Sequence, residues 1–341
     1  MQIDIKTNQV QPLRHTFAHV ARRLGADKPA SRYQEATLDV QAESNFHYRP
    51  LWDPDHDLFD TGRTAICMSD WYTFRDPRQY YYGSWTIARS RQQESMERNF
   101  NFVEKRELLE SLEPEWRARV AAVLIPLRHY EYGANLNNCH VAAYGYGTAI
   151  TQTAAFACAD RLGMAQYLTR IGLILDGNRS GVLESAKAAW QEDPAWQPLR
   201  RLMEELLVTQ DWFEIYVAQN FVLDGLLYPL IYQCFDGELA RHGGSALAML
   251  TEFMSDWHGE QNRCVDAFLK TAAGESEENR DLMGGWVQSW SERAGEALFP
   301  LACTALGEAG VTVVEELRAG LAGRAEKKCG LDLQAPGRSG K

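Results

Sequence analysis

The side chains best suited to chemistry in this sequence are its 8 histidines and 46 carboxylates, and their spacing decides what they can do. A carboxylate-bridged pair of metal ions in a helical protein draws a single Glu from each of two helices and a Glu-x-x-His from each of two others. The three-residue step matters because positions i and i+3 share one helix face. Stepping back three residues from each histidine gives Pro12, Thr16, Ser44, Asp53, Pro126, Asn137, Leu239 and Ser255, so the chain contains no Glu-x-x-His. Asp53 before His56 is the one carboxylate in that position; it lies among prolines and reads as a solvated turn.

Other reactive constellations are missing too. No Gly-x-Ser-x-Gly elbow, Gly-x-Gly-x-x-Gly turn or Gly-Lys-Ser/Thr loop occurs. Tyr144-Gly145-Tyr146-Gly147 has the glycines but neither a lysine nor a strand before it, and reads as a helix junction. The 7 cysteines are scattered without a zinc spacing, and their odd count fits free thiols in a reducing cytosol. Glu131 stands apart, because it opens a run without any charge that ends only at Asp160. A carboxylate in that setting is buried or paired. It either works with His129, His140 and His258 as an unrecognised ligand or acid–base set, or it is a core carboxylate answered by an arginine such as Arg128 or Arg170. The second alternative is the simpler.

Residues 71–106 form the least ordinary stretch. Trp71, Tyr72, Phe74, Tyr80, Tyr81, Tyr82 and Trp85 alternate with Arg75, Asp76, Arg78, Arg89, Arg91, Arg98 and Arg106. An amphipathic helix shows one apolar stripe, whereas here aromatics and guanidinium groups go nearly all the way round. Trp, Tyr and Arg are enriched at the buried centres of protein interfaces. A subunit interface is therefore the preferred expectation over a helix buried in its own domain.

The elements that would position these groups are almost all helices. From Asp76 on, periodicity predicts helices over about 76–112, 115–125, 128–145, 149–175, 180–191, 195–206, 209–235, 244–272, 277–296 and 299–323, with a kink at Pro126. Strand signals are scarce. Helices of about 25 residues reach nearly 40 Å at about 1.5 Å per residue, which suits a long-helix bundle. The expected division is an irregular arm over 1–75, a helical domain over 76–325 and a disordered tail over 326–341. The arm carries Phe46, Tyr48, Leu51, Trp52, Leu58 and Phe59, too many apolar residues for a free tail. A chain of 341 residues, 45% of them hydrophobic, can bury a large core. A net charge of −11 without a basic tract argues against nucleic acid. The asparagines of the uncharged run, Asn135, Asn137 and Asn138, argue against its crossing a membrane.

Long ordered segments carry a family resemblance: KPASRYQEAT, NFHYRPLWDP, DWYTFRDPRQYYYG, the Arg-rich helix through FVEKREL, IPLRHYEYGANLNN, DRLGMAQYLTRIGLILDG, DWFEIYVAQNFVLDGLLYPLIYQ and MLTEFMSDW. They resemble the β subunit of the hydroxylase component of bacterial multicomponent monooxygenases, most of all the phenol hydroxylase branch and more distantly the toluene, alkene and methane branches. The resemblance implies an all-α, ferritin-like fold and a cytoplasmic complex of α, β and γ subunits, generally a dimer of such trimers. It implies a diiron centre in α and none in β. A separate reductase using NADH, flavin and iron–sulfur groups would supply electrons, and a small effector protein would bind the complex. The expected reaction is hydroxylation of phenol or a related aromatic, with this chain inactive alone. Placed against the ligand pattern of α, Glu131 falls at the first single Glu, Arg170 and Leu173 at the first Glu-x-x-His, Gln219 at the second single Glu, and Asp256 and Gly259 near the last Glu-x-x-His. The subunit interface would use Trp71, Arg75, Asp76, Arg78, Tyr80, Tyr81, Tyr82, Trp85, Arg89, Arg91 and Arg98.

Overall fold

The computed structural model describes residues 16–26, 28–41 and 49–333. Among them there is no strand. Two short helices, α1 (Ala18–Leu24) and α2 (Arg32–Thr37), lie in the arm. The body comprises α3 (Tyr82–Lys105), α4 (Pro114–Val123), α5 (Leu127–Tyr144), α6 (Thr148–Leu175), α7 (Gly181–Glu192), α8 (Gln197–Leu207), α9 (residues 212–239), α10 (Ser245–Glu275), α11 (Glu277–Leu306) and α12 (Gly310–Arg324).

Helix α9 forms the axis of the core. Nearly every residue from Trp212 to Tyr232 is buried, the polar Gln219, Asn220 and Asp224 included. Its hydrogen bonding slips to the wider π pattern over Val217–Leu223 and Leu230–Phe235. Such insertions rotate side chains relative to a regular helix and recur at functional positions. Around α9 stand α5, α6, α10 and α11. Helices α5 and α6 form an antiparallel hairpin about Gly145–Gly147. Gly147 has φ +87°, and a Cβ there would sit 2.9 Å from the carbonyl oxygen of Trp71, so this tight junction excludes side chains. The outward side of the hairpin exposes Tyr132, Leu136 and Leu162 with no charge among them.

Cap residues hold the arm on the body. Asp211, the N-cap of α9, accepts from the amides of Phe213 and Glu214 and also from Ala65 at 2.7 Å. Asn279, in the first turn of α11, accepts from the Cys67 amide at 3.0 Å and donates to the Cys67 carbonyl at 2.7 Å. Glu275 accepts from the Ser69 amide at 2.8 Å. Trp71 then packs 5.6 Å from Trp212, and Phe74 edge-on 5.6 Å from Phe268. The arm's Leu51 and Trp52 stay exposed; Phe46 and Tyr48 lie outside the described residues.

Three boundaries differ from expectation. Helix α3 starts at Tyr82, not Asp76: Asp76 is buried and grips Arg78, and Gln79 takes φ +54°, which no continuing helix allows. Two helices do cover 277–323, but the break between them falls at Gly307 and not before Phe299, because α11 runs on through Pro300. Gly310 there touches the Ala302 backbone so closely that a Cβ would lie 2.4 Å from its carbonyl. Finally, the chain does not leave the body at residue 325, since a π-helical turn continues over Ala325–Cys329, with Cys329 and Leu331 buried. Residues 334–341 lie outside the described residues.

Candidate functional site

At the middle of the bundle a polar cluster is sealed among four helices. Arg161 of α6 is fully buried. Its Nη1 donates to Glu131 Oε2 of α5 at 2.9 Å and to the Tyr228 hydroxyl of α9 at 3.1 Å, and its Nη2 donates to Asp224 of α9. The Tyr228 hydroxyl donates to the other Glu131 oxygen at 2.7 Å. Asp224 Oδ1 accepts from Tyr130 at 2.7 Å and from Gln219 Nε2 at 3.1 Å. Asn137 donates to Gln219 Oε1 at 2.9 Å. Helix α10 supplies Trp257, whose ring lies 4.6 Å from the guanidinium carbon, and His258, stacked 5.0 Å from the Tyr228 ring.

Electrostatics here follow from burial. Loss of water pushes the Glu131 carboxyl up, against the pull of Arg161. Burial opposes the charge of Arg161, but the carboxylates of Asp224 and Glu131 outweigh it and hold its pKa above the ordinary arginine value. His258 is pushed down to about 3 by burial, with Arg324 and Arg161 acting in the same direction, so it stands as a neutral ring.

A second network backs the first. Asp160, next to Arg161 in sequence, accepts from Arg89 Nε at 2.7 Å and Nη2 at 2.8 Å, from Trp257 at 2.8 Å and from Trp85 at 3.2 Å. Burial pushes this carboxyl up as well, with Arg89 opposing. Arg89 also reaches Glu260 at 3.2 Å, and Arg78 bridges Asp76 and Gln261. Adjacent residues of α6 thus serve two clusters, one inside the bundle and one under α3.

These residues do not fit a metal pair. The four helices present Glu131, then Arg161 and Met164 three apart, then Gln219 and Asp224, then Trp257, His258 and Gln261. A guanidinium has donors and no acceptor, and Arg161 lies between the two carboxylates that would have to bridge the ions. Among the described residues no group of three or more His, Cys, Asp or Glu could hold a metal ion. The cluster can neutralise buried charge and fix helix positions; it offers no open coordination position.

The sequence-derived ligand positions are only partly brought together. Glu131 and Gln219 are in the cluster. Arg170 is not: it sits near the surface on Glu97 and Glu104 and over the Phe100 ring. Nine residues separate it from Arg161, two and a half turns, so it points the opposite way. Leu173 is likewise away from the core, and Asp256 and Gly259 are exposed, while Trp257 and His258 face inward. Glu131 is answered by Arg161, not by Arg128 or Arg170. His140, also nine residues from Glu131, faces Tyr144 at 4.7 Å instead. Of the residues expected at a subunit interface, Trp71 and Asp76 are buried, and Arg78, Tyr80, Trp85 and Arg89 are engaged within the chain, Trp85 stacked 4.8 Å from Phe156 and Tyr80 beneath Arg78 at 5.0 Å. Tyr81 is half-buried as the residue before α3, whereas Arg75, Tyr82, Arg91 and Arg98 face solvent.

The family model of the methane/phenol/alkene hydroxylases matches residues 52–276. The chain belongs to this family. It is 52% identical over 327 residues to the phenol 2-monooxygenase oxygenase component DmpL of Pseudomonas sp. (strain CF600), covering 96% of this chain and 98% of that protein. To the oxygenase component MhpL of Acinetobacter pittii (strain PHEA-2) it is 48% identical, over 96% and 97%. The phenol hydroxylase of Pseudomonas sp. OX1, in a xenon-pressurised crystal structure, superposes with a TM-score of 0.90 at 47% identity, over 98% of this chain and all of that one. Toluene 4-monooxygenase superposes at 0.73 with 19% identity, over 90% of this chain and all of that one, a likeness of fold alone. The all-α, ferritin-like architecture is that of a hydroxylase-family subunit. Within this family, Arg161 is the residue that sequence reasoning missed.

Proposed function

We propose that this chain is the structural, non-catalytic β subunit of a phenol-hydroxylase-type monooxygenase. It supports a diiron α subunit and mediates dimerisation of the complex, with a γ subunit completing each trimer. The assembled enzyme hydroxylates phenol or a related aromatic at the ortho position in the cytoplasm, with electrons from a reductase carrying flavin and iron–sulfur groups and with an effector protein bound. The carrying observation is Arg161: a member of a hydroxylase family has placed a guanidinium, paired to Glu131 and Asp224, at the heart of its own helical bundle. A subunit built that way contributes framework, and catalysis belongs to a partner.

The contact surface is best sought on the outer side of α3. Arg91, Arg98 and Phe102 share one solvent-facing side of the helix, and Tyr82, 72% exposed, opens the helix on another side. Large aromatic and guanidinium groups left outside, after Trp85 and Arg89 have been used inside, suit a subunit interface. Co-expression with diiron α and γ chains tests this. Tyr82→Ser with Arg91→Glu and Arg98→Glu should abolish co-purification on a sizing column while leaving the melting temperature of this chain unchanged. An intact complex carrying all three changes would overturn the assignment of this surface. Glu131→Gln should leave the iron content of the complex unchanged; loss of iron would overturn the non-catalytic reading.

A further inference from the structure

The hairpin of α5 and α6 carries a feature that the core clusters do not use. Cys139 and Cys158 lie with their sulfurs 3.5 Å apart, in van der Waals contact, and both are free thiols. Cys139 is exposed and Cys158 half-buried. On antiparallel helices this meeting has a simple cause. Side chains lean toward the N-terminus of their own helix, so Cys139 leans away from the Gly145–Gly147 junction and Cys158 toward it. The backbones are also drawn together at this point. Asn135, one turn before Cys139, donates from Nδ2 to the Cys158 carbonyl at 3.0 Å, and the Cys158 thiol faces the Asn135 carbonyl at 3.6 Å.

We propose that Cys139 and Cys158 form a peroxide-responsive thiol pair that closes into an intrachain disulfide between α5 and α6. The oxidant is a hydroperoxide. The Cys139 thiolate attacks the peroxide oxygen, giving Cys139 sulfenic acid and releasing an alcohol, or water when the oxidant is hydrogen peroxide. The Cys158 thiol then attacks the Cys139 sulfur, forming the S–S bond and releasing water. Two thiols are oxidised by two electrons and one peroxide bond is reduced. The order follows from access: Cys139 meets the solvent, whereas burial and the neighbouring Cys139 thiol push the Cys158 pKa up and keep it protonated until a sulfenic acid stands beside it. A thiol disulfide reductant reverses the step.

The experiment uses the full-length chain, purified reduced, treated with one equivalent of hydrogen peroxide, quenched with iodoacetamide and mapped as peptides without reduction. The expected product lacks two hydrogens, joins the Cys139 and Cys158 peptides and loses two of its 7 titratable thiols. Dithiothreitol should restore both. Cys67 and Cys303 are also exposed and have no second thiol in contact among the described residues, which makes them internal controls. In Cys158→Ser the resolving thiol is gone, and Cys139 should stop at sulfenic acid with one equivalent of hydrogen peroxide and reach sulfinic acid only with a second. Sulfinic acid at Cys139 in the unsubstituted chain with Cys158 still reduced, or a cross-link formed through Cys67 or Cys303, would overturn the proposal.

Discussion

Replacing Arg161 by Met removes the one cation that answers Glu131 and Asp224, both 1% exposed, while keeping a flexible side chain of similar length. Each carboxylate attracts a charge about 4 Å away by about 4 kcal/mol at an effective dielectric of 20. Two such attractions are offset by the several kcal/mol needed to strip water from the guanidinium. The net expected loss of stability at pH 8 is about 3–5 kcal/mol, the range found when one partner of a buried pair is removed. The loss also carries a pH signature. Glu131 already has its pKa raised by burial with Arg161 opposing, so without Arg161 it rises further. A group with a raised folded pKa stabilises the fold when protonated, fully below its unfolded value of 4.5, and loses that stabilisation as pH climbs through the folded value. The deficit of Arg161→Met should therefore shrink on acidification, by up to about 1.4 kcal/mol per pH unit for one proton. Denaturant unfolding of the full-length chain at pH 8 and at pH 4.5, followed by near-ultraviolet circular dichroism, measures both effects. Combining the change with Glu131→Gln and Asp224→Asn should recover most of the loss, because a neutral buried cluster tolerates the missing cation. A deficit under about 1 kcal/mol, or an equal deficit at both pH values, would refute the role given to the guanidinium.

Three further outcomes are expected. His258 is ordinary at 6.5 when unfolded and lies at about 3 when folded, so its neutral form supports stability above pH 6.5 and that support drains away down to about pH 3; His258→Gln should make the acid limb of a stability curve shallower, and an unchanged slope would count against it. Asp160→Asn weakens the hold on Arg89 and should lower stability by about 3–5 kcal/mol, with a shift in tryptophan fluorescence from the loosened Trp85 and Trp257; a silent spectrum would show that α3 is held elsewhere. Asn279→Ala leaves the Cys67 backbone groups unmet, costs about 1–3 kcal/mol and should open the arm to limited proteolysis between Gly62 and Trp71, ahead of any cut in the bundle.

The helices were readable because their apolar periodicity is strong; the central place of α9 emerges only from the fold. Glu131 was readable as a carboxylate needing an answer, since it opens the long uncharged run. Its partner was harder to find. Glu131 and Arg161 lie equally far in sequence on either side of Tyr146, so an antiparallel hairpin pivoting there brings them level. That geometry was available from the sequence, yet matching a ligand pattern favoured Arg170, half a rotation away. Gln219 stands in the cluster, whereas the α10 positions Asp256 and Gly259 do not. One residue of slip turns a side chain about 100°, enough to exchange exposed Asp256 for buried Trp257. The aromatic and arginine stretch was legible only in part, for another reason. Composition cannot show that Asp160, Asp76 and Glu260 stand within the same chain to receive Arg89 and Arg78.

The arm's attachment has a consequence for synthesis. Its backbone groups at Ala65, Cys67 and Ser69 are satisfied by Asp211, Asn279 and Glu275, partners 146, 212 and 206 residues farther along. A ribosome adding about 5–20 residues per second needs roughly 10–40 s to make the last of them after Cys67 has emerged. Through that interval Trp71 and Phe74 have no body to pack on, and the nascent arm is an apolar segment in search of one. The same bonds make the arm's docking a late event, reporting that α9, α10 and the start of α11 are all in place.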